Sequence, residues 1–162
     1  INNLYRDVNI DSLEYNLIYI GSAACPYCED PKFKQILRSA IDTLSMYHFI
    51  KNENFNTIGI SIDNNIIDGY NHLTSIKIFD EYSIGNRWMN TIAGNYTFNF
   101  DGPLATPQLI ITKRTYSEFN QIEGILYHGI KDEEIIMRRV GLESISDWYN
   151  LDLYVPNYFI PK

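Results

Sequence analysis

Two cysteines separated by two residues are the part of this sequence best suited to chemistry. The segment Cys25-Pro26-Tyr27-Cys28 contains both cysteines of the 162-residue chain. A thiol attacks a disulfide only as its thiolate, and this spacing lets the second thiol reach the first. The pair therefore predicts reversible thiol–disulfide exchange, with Cys25 as the attacking nucleophile and Cys28 as the resolving thiol.

Three other interpretations of the cysteine pair stay open at the level of sequence. A zinc site would need two further ligands, and His48, His72 and His128 stand at no recognisable zinc-finger spacing. A structural disulfide across two residues would close too small a loop to add much stability. The cysteines could also be an unrelated pair of buried thiols. The elements around the motif favour exchange over all three.

Those elements would hold the motif between a strand and a helix. Residues 15–20 form a β-branched and aromatic run that ends at Gly21, which predicts a buried central strand. After the motif, apolar residues repeat at helical spacing on one face: Phe33, Ile36, Leu37, Ala40, Ile41 and Leu44. Pro26 fits the first turn of such a helix, whereas Pro31 predicts a bend or a later start. At a first turn, unpaired N–H groups would favour the Cys25 thiolate.

The next segments predict a strand followed by a helix. Ile58, Ile60 and Ile62 alternate within a strand over residues 55–62, and residues 66–82 predict a less regular helix that closes at Gly85. Asp63, at the end of that strand, is interpreted as a helix cap rather than as a base. Strand, helix, strand and helix at these lengths predict parallel strands with helices on their faces.

The second half of the chain has weaker patterns. Alternation of Tyr96, Phe98 and Phe100 predicts a strand, and residues 108–111 predict a core strand. Residues 113–133 are compatible with a short helix, although 125–128 fit a strand equally well. Residues 135–141 predict another strand, and Ser144 is the predicted cap of a last helix.

The order of these features resembles the thioredoxin superfamily over roughly residues 15–151. The cysteine motif follows the first core strand, Thr106-Pro107 opens a later apolar strand, and Arg138-Arg139-Val140-Gly141 leads into a final helix. The resemblance implies a thioredoxin-like α/β fold in which helices flank a central mixed β-sheet. The extra residues at 86–104 and 113–133 would be insertions before and after the proline strand, and the length of the chain predicts a single domain over 1–162.

The resemblance also implies roles for individual residues. Pro107 would be a cis-proline that faces Cys25 and Cys28 and shields them from metals, while an ordinary trans proline opening a strand is the alternative. Thr106 would offer backbone groups to a bound peptide. Pro26 and Tyr27, between the cysteines, complete the expected substrate-binding residues.

This sequence departs from the thioredoxin pattern in two respects. Thioredoxins carry a buried acid six residues before the first cysteine, where this chain has Tyr19. The role of that acid, which assists the resolving thiol, is therefore unfilled or passes to Glu29, Asp30 or water. Pro-Tyr between the cysteines is a glutaredoxin pattern, yet no Gly-Gly-x-Asp stretch follows Pro107.

Charge and composition bear on the partners. The chain has 13 Lys and Arg against 20 Asp and Glu, a net charge of −7, which argues against a nucleic-acid partner. We expect protein thiols or disulfides as substrates, a soluble or membrane redox partner, and no metal or other cofactor. A non-enzymatic thioredoxin-like module that binds a partner is the alternative, and peroxide reduction fits less well. Because the chain starts at Ile1, we also expect an exported protein whose leader or anchor has been trimmed.

Overall fold

A five-stranded mixed sheet forms the centre of the protein. The computed structural model describes residues 13–98, 103–117, 120–122, 125–127 and 129–155. The strands are β1 (Glu14–Gly21), β2 (Asn54–Ser61), β3 (Glu81–Ile84), β4 (Gln108–Tyr116), β5 (Asn120–Ile122), β6 (Ile125–Tyr127) and β7 (Ile130–Val140). The helices are α1 (Pro31–Lys51), α2 (Ile66–Ile76), α3 (Thr91–Thr97) and α4 (Leu142–Asn150), with a short 3-10 turn at Arg87–Met89.

The central strand is β1, as the sequence predicted. The sheet order is β3-β2-β1-β4-β7, while β5 and β6 form a separate two-stranded sheet. β1 is parallel to β2 and antiparallel to β4, so Ile18 lies between Ile58 and Ile110. Both faces of β1 are buried, which explains its nearly continuous apolar sequence. The parallel half places the ends of β1 and β2 at the same edge of the sheet.

Two layers of side chains pack on the sheet because successive strand residues point to opposite faces. Leu17 and Tyr19 face the layer formed with α1, α2 and α4, which contains Trp148. Ile18 and Ile20 face the other layer, to which α3 contributes Ala93. Within the described ranges, no helix is long and apolar enough to cross a membrane.

Helix α1 has the predicted buried face but begins later than its motif suggested. Its buried residues include Phe33, Leu37, Ala40, Ile41 and Leu44. The Asp30 carboxylate accepts hydrogen bonds from the first N–H groups of the helix, and Pro31 occupies the first helical position. The prediction that Cys25 and Pro26 stand in the first turn of this helix is therefore wrong, and the later start suggested by Pro31 is correct.

Three other predicted elements differ from the structure. The helix predicted over 66–82 ends at Ile76, because residues 81–84 pair with β2 as an edge strand. Tyr96 and Phe98 belong to α3 and its end rather than to a strand, and Phe100 lies outside the described residues. Helix α4 begins at Leu142, with Gly141 rather than Ser144 at its N-cap.

Most of the described residues of the segment predicted as a helix, 113–133, belong to strands instead. β4 runs on to Tyr116 and β7 begins at Ile130, so β4 pairs antiparallel with β7 for two residues beyond its last pair with β1. Between them in the chain, β5 and β6 pair antiparallel with each other. Pairing with β7 extends β4, and this long-range contact leaves no local pattern in the sequence.

Candidate active site

Cys25 lies in a separate turn between β1 and α1. Its backbone N–H donates to the Ser22 carbonyl oxygen at 3.1 Å, and its own carbonyl accepts from Cys28 at 3.0 Å and from Glu29 at 3.2 Å. Cys25 is partly exposed, whereas Cys28 is completely buried, and both are free thiols. Only the first cysteine of the pair is thus open to a large substrate.

The sulfur of Cys25 has polar contacts on two sides. The Cys28 backbone N–H donates to Cys25 Sγ at 3.3 Å, and the Cys25 thiol donates to the Thr106 carbonyl oxygen at 3.5 Å. This backbone N–H is directed at the sulfur in place of the helix N-terminus that the sequence had suggested. The structure thus brings Cys25, Cys28 and Thr106 together.

The predicted substrate-binding residues around the Cys25 sulfur differ in their exposure to solvent. Thr106–Pro107 is a cis peptide bond, and Pro107 is buried beside the sulfur-contacting carbonyl of Thr106. Pro26 and Tyr27 are exposed, Tyr27 to 61%. A substrate approaching Cys25 would therefore find two exposed side chains beside the first cysteine.

Burial dominates the chemistry of Cys28. Burial, together with the neighbouring Cys25, raises the pKa of Cys28 to about 12, against weaker opposing contacts from Ser22 and Thr106. Cys28 is consequently a protonated thiol at neutral pH. It becomes a nucleophile only when another group takes its proton.

Asp63 holds the loop that leads into the cysteine turn. Its carboxylate accepts from Ser22 Oγ at 2.7 Å, the Ala23 backbone N–H at 2.9 Å and Ser61 Oγ at 2.7 Å. Burial would raise the pKa of Asp63, but these hydrogen bonds outweigh it and lower the pKa. Asn65 caps α2, so the interpretation of Asp63 as a helix cap is wrong. Asp63 instead ties the end of β2 to the approach to Cys25.

A buried tyrosine and histidine lie next to Cys28. The Tyr19 hydroxyl is 3.0 Å from His72 Nε2, and His72 Nδ1 hydrogen-bonds with the Glu29 carboxylate. Asp30, one of the predicted substitutes for the missing acid, is occupied as the α1 cap. From the sequence, Tyr19 was noticed only because it stands where thioredoxins have a buried acid, and no role was predicted for His72.

Nothing in the described ranges resembles a metal site. No group of three or more His, Cys, Asp or Glu side chains lies close enough there to hold a metal ion. His48 contacts Glu53 and His72 contacts Glu29, while the side chain of His128 lies outside the described residues.

Comparisons with known proteins gave distant structural similarities. No family model and no curated protein matches the sequence. The chain is similar to a thiol-disulfide oxidoreductase from Bacteroides fragilis NCTC 9343, with 17% identity and a TM-score of 0.48, over 87% of this chain and 82% of that one. It is also similar to the thioredoxin domain of a thiol-disulfide oxidoreductase from Bacteroides vulgatus, with 16% identity and a TM-score of 0.42, over 86% and 77%.

The strand order of the structure is what assigns the fold. A strand, the cysteine turn and a long helix come first, and a proline then opens an antiparallel strand that pairs with β1. Helices cover both faces of the mixed sheet. The protein therefore has a thioredoxin-like α/β fold, which confirms the fold class predicted from its sequence.

Proposed function

We propose that this protein is a thiol–disulfide oxidoreductase that acts on protein thiols or disulfides through Cys25 and Cys28. One observation carries the proposal: an accessible Cys25 sulfur receives a backbone N–H, and the buried Cys28 thiol lies one turn away. An exposed nucleophile beside a protected thiol is the arrangement that internal resolution of a mixed disulfide requires.

The exchange needs two displacements at sulfur. The Cys25 thiolate attacks one sulfur of a substrate disulfide, a Cys25–substrate disulfide forms, and the other substrate sulfur leaves as a thiolate. Cys28 then attacks Cys25 Sγ, so that the Cys25–Cys28 disulfide forms and the substrate leaves reduced. The same steps in reverse oxidise a substrate dithiol. A dithiol or disulfide protein, soluble or in a membrane, would restore the starting state of the pair.

Residues around the Cys25 sulfur would hold the substrate. Thr106, whose carbonyl contacts Cys25, would pair through its backbone with an extended peptide, as an added strand pairs with an exposed edge. Pro107 would fix that backbone beside the sulfur. The exposed Pro26 and Tyr27 would contact the substrate from the other side of Cys25.

Trapping of mixed disulfides tests the assignment of the two thiols. Cys28→Ser should accumulate covalent adducts with protein substrates, because attack by Cys25 continues while release stops. Cys25→Ser should accumulate none, and it serves as the matched control because it has the same thiol count. Non-reducing electrophoresis after incubation with disulfide-bonded insulin measures both. Equal trapping by the two variants would show that the roles are misassigned.

Insulin reduction by the wild type separates an enzyme from a binding module. We expect turnover in the presence of dithiothreitol that is lost in both cysteine variants. Binding of a partner without any turnover, unaffected by Cys25→Ser, would instead favour the non-enzymatic module.

A further inference from the structure

The backbone on both sides of Thr106 is held by hydrogen bonds, while Thr106 itself stays open. The Pro107 carbonyl oxygen accepts from the Gly141 backbone N–H at 2.8 Å, and the Ala105 carbonyl oxygen accepts from Gln108 Nε2 at 2.8 Å. Thr106 is half-buried, and within the described ranges no hydrogen bond involves its backbone N–H. The segment is therefore fixed before and after Thr106.

Gln108 supplies the side chain of this arrangement. It is the first residue of β4, and its side chain is completely buried. Gln108 Oε1 accepts from Arg138 Nε at 3.2 Å and from Arg138 Nη2 at 3.0 Å, while Gln108 Nε2 donates to Ala105. The Gln108 amide thus links β7, the neighbouring strand, to the residue in front of Thr106.

The register of β4 and β7 places Gln108 and Arg138 side by side. Gln108 pairs with Val140 and Arg138 pairs with Ile110, so the two side chains are diagonal neighbours on one face of the sheet. Ile110 belongs to the apolar layer on that face. A polar side chain buried in such a layer costs free energy unless it is hydrogen-bonded, which holds Gln108 to its two partners.

The charge of Arg138 determines which way the Gln108 amide points. A guanidinium only donates and a backbone carbonyl only accepts, so each end of the amide fits one of its two partners. Turning the amide over would bring N–H against N–H at Arg138 and oxygen against oxygen at Ala105. Burial lowers the pKa of Arg138, but a guanidinium stays protonated near neutral pH. Arg138 therefore keeps Gln108 Nε2 directed at the Ala105 carbonyl oxygen.

We propose that Gln108 and Arg138 position the Thr106 backbone for an extended peptide, and so favour protein disulfides over small disulfides as substrates of Cys25. This inference rests on the function proposed for the cysteine pair. An extended peptide would pair with the Thr106 N–H while its disulfide lies against the Cys25 sulfur. Such pairing requires a fixed backbone, because small displacements of a positioned group slow a reaction strongly.

A small disulfide needs less of the site. It has no peptide strand to pair with Thr106, so its reaction depends on the accessibility and ionisation of Cys25. The hydrogen bonds of the Gln108 amide go to Ala105 and Arg138, whereas those of the Cys25 sulfur go to Cys28 and Thr106. Gln108 and Arg138 are therefore positioning residues that act through the Thr106 backbone, and changes at them should separate the two classes of substrate.

Insulin and Ellman's reagent test this separation. Gln108→Met keeps an unbranched side chain for the buried site but removes the amide that bonds Ala105 and Arg138. We expect kcat/KM for insulin reduction with dithiothreitol to fall about tenfold, while the rate constant of the reduced protein with Ellman's reagent changes less than about twofold. A side chain that only stabilised the fold would leave both rates of the folded variant unchanged.

Arg138 provides a conservative series with a matched control. Arg138→Met should lower kcat/KM for insulin about 3- to 10-fold, because the Gln108 amide loses the partner that orients it. Arg138→Lys should restore most of this, because an ammonium also donates to Gln108 Oε1. Arg139→Met removes the same charge from the next residue of β7, whose side chain lies on the opposite face of the sheet, and should change neither rate more than about twofold.

The outcomes distinguish this inference from the proposed function. An unchanged kcat/KM for insulin in folded Gln108→Met, or an equal fall with insulin and with Ellman's reagent, overturns the inference and leaves the function intact. If Gln108→Met does not fold, the half-buried Arg138 decides, and insulin reduction that is equal in Arg138→Met and Arg139→Met overturns the inference. A wild type that does not reduce insulin, or a Cys25→Ser variant that does, would contradict the function itself and the inference with it.

Discussion

Replacing Asp63 with Asn should destabilise the protein by about 2 kcal/mol at pH 7. The carboxylate accepts three hydrogen bonds, from Ser22, Ala23 and Ser61, and it is buried. Each bond to a charged acceptor contributes about 1.5–3 kcal/mol, against about 1 kcal/mol for a neutral one. An Asn side chain keeps the shape of Asp63 and some of its hydrogen bonds but loses the charge. The loss in the free energy of unfolding, taken over the three hydrogen bonds, is therefore about 2 kcal/mol.

The difference in the free energy of unfolding between the wild type and Asp63→Asn should shrink as the pH falls. Burial raises the pKa of Asp63, but the hydrogen bonds lower it by more, so its folded value lies below the unfolded value of about 3.9. The stabilisation is therefore fully present above about pH 4 to 5 and is lost as the pH falls through the folded pKa. The wild type and Asp63→Asn should converge in acid.

Urea unfolding at pH 7, 5 and 3 measures both effects. Fluorescence of the buried Trp148 reports the transition, and Asp147→Asn, at an exposed carboxylate on α4, is the matched control that should change stability by less than about 0.5 kcal/mol. A loss below about 0.5 kcal/mol for Asp63→Asn at pH 7 would refute the reasoning, and so would a loss that persists unchanged at pH 3.

Three further substitutions test the elements around the site by urea or thermal unfolding. Asp30→Ala should cost about 1 kcal/mol, because α1 loses the carboxylate that accepts its first N–H groups, and Asp30→Asn should restore most of this. Gly59→Ala should lower the free energy of unfolding by about 1–3 kcal/mol, because a Cβ there would lie 2.7 Å from Phe79 Cδ2. In a Phe79→Leu background the same substitution should cost less, because the ring that the Cβ meets is gone. An equal loss of stability in both backgrounds would contradict this contact. Trp148→Ala should cost about 3–5 kcal/mol, since the side chain is fully buried, and a loss under about 1 kcal/mol would contradict its place in the core.

The sequence predicted those elements whose local pattern and tertiary environment agree. The apolar run of β1 is buried on both faces, and the helical spacing after Pro31 gives α1 its buried face. The errors lie where short patterns fit two periods. Tyr96 and Phe98 alternate like a strand, but seven residues capped by Asn90 form a helix there. Residues 81–84 become a strand only because β2 offers them an edge.

The candidate site was partly predictable for a related reason. Cys25, Cys28 and the Thr106–Pro107 segment are marked by motif and order, and the structure brings the Cys25 sulfur against Thr106. No sequence motif around His72 indicates its role, since its partner Tyr19 is 53 residues away along the chain. Asp63 was misinterpreted because its three donors come from two separate segments. Contacts of this kind depend on the packed fold and leave no periodic trace.

The two outer strands of the main sheet affect how the protein behaves at high concentration. Among the described strands, β3 and β7 have only one neighbour each, so each presents unpaired backbone groups along its outer side. β3 is only 4 residues long, and the first half of β7 carries the exposed charges Lys131, Asp132 and Glu134. A short edge and a charged edge are both poor templates for another chain. The sheet is thereby protected against edge-to-edge aggregation, even though β7 is the longest strand of the sheet and lies at its margin.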